Sequence, residues 1–223
     1  GGAGTSRLFV GSNASGLTAA QLAAIHFAGF PPGAALLSTG EVVPVVLAPT
    51  VTTPTSASVT NNSALLGGNV TADGGAPILA RGIVLSPTAT NNNPLIGGSG
   101  VSNLTTTGTT GVFTLSAGSL TANTTYSYKA YATNSVGTGY SSVGTFTTLA
   151  PSLTINNVTA NEGNTGTTNF TFTVSLSAPA GPGGVSFNIA TANDSASAGV
   201  DFVSNSLTGQ TIPVADQGYG KFA

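Results

Sequence analysis

The chain has no cysteine, methionine or tryptophan, one histidine, and only 4 Lys or Arg and 6 Asp or Glu among its 223 residues. Charged residues make up 4% of it, against roughly 25% in an ordinary soluble domain. Each absence excludes something. Without cysteine there is no disulfide, thiolate nucleophile, Cys-ligated zinc or iron–sulfur cluster. Four cations cannot supply the basic footprint of a nucleic-acid binder, because each neutralised phosphate needs its own donor. The same scarcity removes attraction to an anionic membrane surface. The most apolar stretch, Val42 to Pro49, is broken by Pro44 and falls far short of the ~18 apolar residues of a spanning helix. Nucleic-acid partners and membrane insertion are therefore set aside.

What is present is uncharged and β-prone. Hydrophobic residues make 40% of the chain and the net charge is −2, which is not the composition of a disordered segment. Thr (35), Ser (24) and Asn (18) carry the solvation that charge normally provides. Lys/Arg-specific proteases have almost nowhere to cut. Both properties suit an extracellular or cell-surface protein better than a cytosolic enzyme. Starting at Gly1, the chain reads as a mature form or a fragment.

Proline-marked joints divide the chain into three blocks. Residues 1–45 hold the single good helix signal, a Thr18-x-x-Gln21 capping box. Leu22, Ile25 and Phe27 follow as a short apolar stripe, ended by Gly29 and Pro31-Pro32. Strand-like Arg7 to Val10 precedes the helix, and Ala35 to Leu37 and Glu41 to Val43 come after it. So little structure cannot bury a core alone, and the block needs something to pack on. Pro44, Pro49 and Pro54 then mark an extended connector, at a sheet edge or outside a sheet. Residues 46–149 read as a succession of strands: Ser63 to Thr71, Ile78 to Ser86, Val112 to Leu115, Thr124 to Thr133 and Ser142 to Thr147. Asp73-Gly74-Gly75 and Asn91-Asn92-Asn93-Pro94 punctuate them as turns. About seven short strands in about 100 residues fit a β-sandwich. Residues 152–223 open with Leu153 to Val158, then alternate through Phe170 to Leu176 and Val185 to Ile189.

The run Leu120-x-x-Asn123-Thr124-x-Tyr126-x-Tyr128-x-Ala130-x-Ala132-x-Asn134-x-x-Gly137-x-Gly139 resembles the late-strand signature of fibronectin type III-like domains. Leu65-x-Gly67-Gly68-Asn69-Val70 and Arg81-Gly82-Ile83-Val84 extend the resemblance upstream, in a version common in bacterial surface proteins. It implies that Tyr126 is the tyrosine corner, its hydroxyl bonded back to the preceding crossover, with Leu120 beside it as a structural residue. The tryptophan typical of many members is missing, so the core must rest on Leu, Ile and Tyr.

Asn161-Glu162-Gly163 and Thr191-Ala192-x-x-x-Ala196-x-x-Gly199-x-Asp201-Phe202 are similar to the pattern of Calx-beta domains. The match stops at Phe202, where the family would need two more long strands, so residues 152–223 read as an incomplete sandwich. The stretch from Leu8-Phe9-Val10-Gly11 through Thr18, Gln21 and Phe27 to Gly40-Glu41-Val42-Val43-Pro44 is similar to the segment closing repetitive β-rich passenger regions of bacterial surface proteins. The expected fold class is all-β: tandem immunoglobulin-like β-sandwiches (46–149 and 152–223) with a short helix-containing N-terminal cap segment (1–45).

No catalytic or cofactor-binding set emerges. His26 has no second His or Cys near it, and no G-x-S-x-G elbow is present. Calcium is the one metal the Calx-beta resemblance implies, with Glu162 and Asp201 as ligands and Asp194 as a weaker third. The bland alternative is that these acids hold loop amides. The expected role is a non-enzymatic structural or adhesive protein, a stalk or fibre subunit, whose partners are copies of itself or neighbouring domains of the same protein. An incomplete sandwich either is the cut end of a longer protein or exposes an edge and a groove that a strand from a neighbour could fill. Donor candidates are Leu8, Phe9 and Val10, or the run containing Val43 and Val45. The alternative is a carbohydrate- or matrix-binding accessory region of a larger secreted protein, for which Tyr131, Tyr140 and Tyr219 are the outward rings.

Overall fold

The computed structural model describes residues 7–161, 165–166, 168–216 and 218–222, the last of these by backbone alone. Its contacts define two compact units: residues 1–57, 65–116 and 127–145, and residues 58–64, 117–126 and 146–223. The secondary structure is strand throughout, apart from one helix of five residues among those described. The molecule is all-β, with immunoglobulin-like sandwich architecture.

In the first unit the N-terminal segment forms β1 (Leu8–Phe9), α1 (Ala19–Ala23), β2 (Ala34–Leu36) and β3 (Glu41–Pro44), in the sheet order β1-β3-β2. The capping box is in place: Gln21 N donates to Thr18 Oγ1 at 3.3 Å and Thr18 N to Gln21 Oε1 at 2.9 Å. The helix buries no residue; it shapes the connection to β2 and contributes nothing to a core. The segment packs instead through Phe30 and Pro31, which crowd the Asp73-Gly74-Gly75 turn so closely that a Cβ on Gly75 would lie 2.7 Å from the Phe30 ring.

The larger part of the fold is built from β4 (Thr50–Ala57), β5 (Ala64–Ala72), β6 (Ala80–Pro87), β7 (Ser102–Thr106), β8 (Gly111–Ala117), β9 (Thr125–Thr133), β10 (Thr138–Tyr140) and β11 (Gly144–Thr147). One sheet runs β4-β5-β8 and the other β10-β9-β6-β7, with β11 also on β9. The proline-marked connector is in part a strand. Pro54 sits at a register shift between Thr52 and Thr55 of β4, on a sheet edge, where its missing amide leaves no ladder bond broken.

The sheets meet through small residues. A Cβ on Gly68 of β5 would lie 2.2 Å from the Cβ of Ala130 on β9, while Ala130 and Ala132 are fully buried. Around this contact Leu66, Val70, Ile83 and Tyr128 are each at most 2% exposed. Leu, Ile, Val and Tyr thus fill the place a tryptophan would take. Two polar side chains fasten the rim. Asn134 donates to Leu47 O and Asp73 O, both at 2.7 Å, and accepts from Val136 N and Gly137 N. Arg81 donates to Thr107 O and Thr109 O and lies 4.9 Å from the Phe113 ring centroid.

The second unit carries β12 (Leu153–Ile155), β13 (Phe172–Leu176), β14 (Val185–Ala190), β15 (Ser206–Ile212) and β16 (Gly218–Phe222). They form a three-stranded sheet, β12-β13-β16, and a two-stranded sheet, β14-β15. Their core is small: Val174, Leu176, Ala180 and Ile212, with Val185, Phe187, Ile189 and Leu207 half-buried against it. After Phe202 the chain makes two strands, of seven and five residues.

The Gly68–Ala130 contact gives the first prediction. Gly68→Ala should cost about 1–3 kcal/mol by overpacking, read as a lower denaturation midpoint at unchanged slope. Ala130→Gly in the same chain should recover part of the loss. A double-variant loss equal to the sum of the Gly68→Ala and Ala130→Gly losses would show that the two positions do not touch.

Candidate functional site

The acidic loop lies between β14 and β15 and is folded upon itself. Asp201 Oδ2 accepts from Ser197 N at 2.8 Å, and Asp201 N donates to Ser197 O at 2.9 Å. Asn193 Oδ1 accepts from Ala198 N, and Gly199 N donates to Phe202 O, each at 2.8 Å. Asp201 therefore spends one carboxylate oxygen on its own turn. Asp194 is exposed, and Glu162 lies outside the described residues. Among the described residues no three His, Cys, Asp or Glu side chains gather as a metal site would require. His26 is exposed on the N-terminal segment.

The strand-donor candidates already have partners in their own chain. Leu8 pairs with Val42 and Phe9 with Glu41, and Val10 N donates to Gly40 O at 2.8 Å. Arg7 holds this strand in place through a 2.8 Å ion pair with Glu41. Val43 pairs with Ala35 in β2. Val45 follows the end of β3 and is half-buried. Leu8 and Phe9 remain 53% and 50% exposed, so their side chains are accessible while their backbone is engaged. Donation would first require release from β3.

Within the second unit, Tyr126 Oη accepts from Thr121 N at 2.9 Å, and its ring stacks on Phe146 at 5.5 Å. Leu120 is half-buried, and its amide donates to Asn62 O at 2.9 Å. It lines a cleft of about 330 Å³ with Asn62, Thr121, Ala122, Ala178 and Pro179. The stretch Leu149-Ala150-Pro151 is pinned on both sides. Leu149 N donates to Thr60 O and Asn123 N to Leu149 O; Ser177 Oγ accepts from Ser152 N and Asn61 Nδ2. A Cβ on Gly181 would lie 1.9 Å from Ala122 O, so that turn, too, is in backbone contact. Sequence reading missed this cluster because its polar members are Asn, Ser and Thr, which recur 77 times along the chain.

The tyrosines differ from expectation. Tyr131 points to the outer face of its sheet but is only 2% exposed. Gly82 makes room for it, since a Cβ there would meet the ring and hydroxyl at 2.9 Å. Tyr140 flanks it at 6.1 Å, Lys129 lies 5.7 Å from the Tyr140 centroid, and Tyr140 Oη accepts from Ile96 N at 3.2 Å. The face is thus a packed layer, and Tyr131 is not the open ring that sugar stacking needs. Tyr219 lies in β16, described by backbone alone.

No protein-family profile matches the chain. Nor does any curated protein match it. Among solved structures it is similar to domains A168–A170 of titin, at 16% identity and TM-score 0.37, over 48% of this chain and 35% of that one. It therefore spans about a third of that titin chain. It is also similar to the sensor domain of the anti-sigma factor RsgI4 from Pseudobacteroides cellulosolvens, at 18% identity and TM-score 0.36, over 47% of this chain and 97% of that one. No helix among the described residues is long and apolar enough to cross a membrane.

The buried tyrosines make stability pH-dependent. Burial raises the phenol pKa of Tyr128 and of Tyr131 above 10.0, with hydrogen bonds to Ser56 and Asn103 pulling the other way. Above pH 10 the unfolded chain loses these protons while the folded chain keeps them. Stability should therefore be full below that pH and fall as pH rises towards the folded pKa, by at most ~1.4 kcal/mol per pH unit for each tyrosine. Denaturant unfolding at pH 8 and pH 11 should show the drop, and Tyr131→Phe should reduce it. For the acidic loop, calorimetric titration with calcium to millimolar concentration should give no saturable heat. A saturable heat abolished by Asp201→Asn would establish the calcium site.

Proposed function

We propose that the chain is a non-enzymatic structural or adhesive protein of the extracellular space or cell surface, a stalk or fibre subunit made of consecutive β-modules. In this reading 1–45 is a cap segment, 46–149 a fibronectin type III-like sandwich and 152–223 an incomplete Calx-beta-like one. The observation that carries it is the bonded joint around Leu149-Ala150-Pro151. A proline-containing link limits conformational freedom. Here Thr60, Asn61, Asn123 and Ser177 also hold its flanks by hydrogen bonds. A joint of that kind passes force and direction along a chain, which is what a stalk requires. The strand order of the larger sandwich and the bond from Thr121 N to Tyr126 Oη support the fibronectin-like assignment.

The assembly route is head-to-tail strand complementation. The two-stranded β14-β15 sheet carries a half-buried apolar face, and such short sheets gain most from an added strand. The donor is the Leu8 to Val10 strand or the run through Val43 and Val45, released from the N-terminal sheet. Copies joined this way form an open, heterologous chain.

Electron microscopy of the full chain at rising concentration tests this reading. Strings of end-joined particles are expected, and Phe9→Lys should shorten them. Dispersed monomers at every concentration would refute the fibre role.

A further inference from the structure

The two lateral sides of the larger sandwich are treated differently. At one side β4 is closed off three times. Pro54 removes an amide, the register with β5 shifts between Thr52 and Thr55, and Thr53 is held at φ +53°. A β-branched residue in that conformation is strained. The backbone leading into β4 also meets the other sheet: a Cβ on Gly139 of β10 would lie 1.8 Å from Pro49 O. The strand position beside β9 is broken between β10 and β11, where Ser141 Oγ takes the Ala130 amide. No strand can add smoothly along this side.

The other side has none of these devices. β7, Ser102-Asn103-Leu104-Thr105-Thr106, ends its sheet. It pairs with β6 through five successive residues without a register shift. It contains no proline, glycine or charge, and Ser102, Asn103 and Thr105 are exposed. Natural edges are normally blunted by charge, proline or a bulge, and β4 shows that this chain uses the last two.

We propose that β7 is a self-association edge, occupied by β7 of a second copy in antiparallel register about a two-fold axis. Self-pairing is favoured by the absence of charge. In a two-fold antiparallel pair residue i of one copy faces residue j of the other, so in a strand this short a charged residue would lie within a few residues of its own copy. Ser, Asn, Leu and Thr meet without that penalty. Five residues of strand bury far less than a standard interface, so the dimer is weak and forms at high local concentration, as on a crowded surface. This edge is separate from the C-terminal complementation: a two-fold contact stops at two copies, whereas head-to-tail joining does not.

The test is sedimentation of the full chain over ~10 µM to 1 mM. The wild type should shift reversibly from monomer towards dimer. Ser102→Lys with Thr105→Lys, both on exposed positions, should weaken association at least tenfold, with the thermal midpoint checking that the fold is intact. Thr55→Lys on the guarded β4 edge should leave association unchanged. A wild type monomeric at 1 mM would overturn the proposal. So would association that survives the β7 variant, or that responds instead to Thr114→Lys on β8. Should fibres fail to form while this dimer persists, only the head-to-tail reading falls.

Discussion

The approach of two sheets across Gly68 and Ala130 is the constraint on which the larger sandwich depends. With no tryptophan, the chain has no bulky residue to fill a wide gap between layers, and the layers must close instead. Gly68 gives up a side chain so that Ala130 can enter its place, and the fully buried Ala132 keeps the same strand thin. Leu66, Val70 and Ile83 then pack at a distance suited to branched aliphatic side chains. One methyl more at the contact would push the sheets apart along its whole length, because interiors this dense have no slack to absorb it. Gly68, in Leu65-x-Gly67-Gly68-Asn69, is thus mid-strand and central to packing.

A close-packed apolar middle leaves the rim to be fixed by polar groups, and the chain does this almost without charge. Among the described residues no buried side-chain nitrogen or oxygen lacks a hydrogen-bond partner. Asn134 alone ties three stretches by four bonds. Thr148, 2% exposed, gives its hydroxyl proton to Thr121 O at 2.6 Å and accepts from Thr124 N at 3.0 Å. Neutral bonds of this kind each contribute modestly, about 1 kcal/mol net, yet leaving one broken and buried costs more than making it gains. The rim is therefore specific rather than strong. It also owes little to ionic strength, since Coulomb attraction contributes so little to it.

The strand pattern was legible because the sandwich keeps period-two alternation where one face is wet. Phe113 in β8 is buried between exposed Val112 and Thr114, and the sequence reading finds that strand. β7 and β10 escaped for the opposite reason: short polar edges of Ser, Asn, Thr and Gly look like loops. The stretch around Pro54 was ambiguous, because proline is compatible with an edge strand as well as with a linker. Tyr131 misled most. Alternation places it on the outer face correctly, but exposure is set by neighbours in space. Gly82 on the adjacent strand and Tyr140 beside it convert an outward residue into a buried one. The joint at Leu149 to Pro151 was visible as a link, while the groups that fasten it were indistinguishable from the many Asn, Ser and Thr elsewhere.

The low charge creates a difficulty that the backbone has to solve. A soluble β protein ordinarily protects its edges with lysine or an inward-pointing charge, and this chain has too few to do so. Conformation takes over that role at β4. Holding Thr53 at a positive φ costs of order 1–3 kcal/mol, a sizeable share of the stability of any single domain. Such strain survives only where relaxing it is worse, and relaxation here would straighten β4 into an open edge. An edge left flat when the one on the opposite side is strained into safety is not an oversight of composition, since the same bulge could have been placed in either strand. The asymmetry divides the sandwich into a side that refuses strands and a side that can accept one.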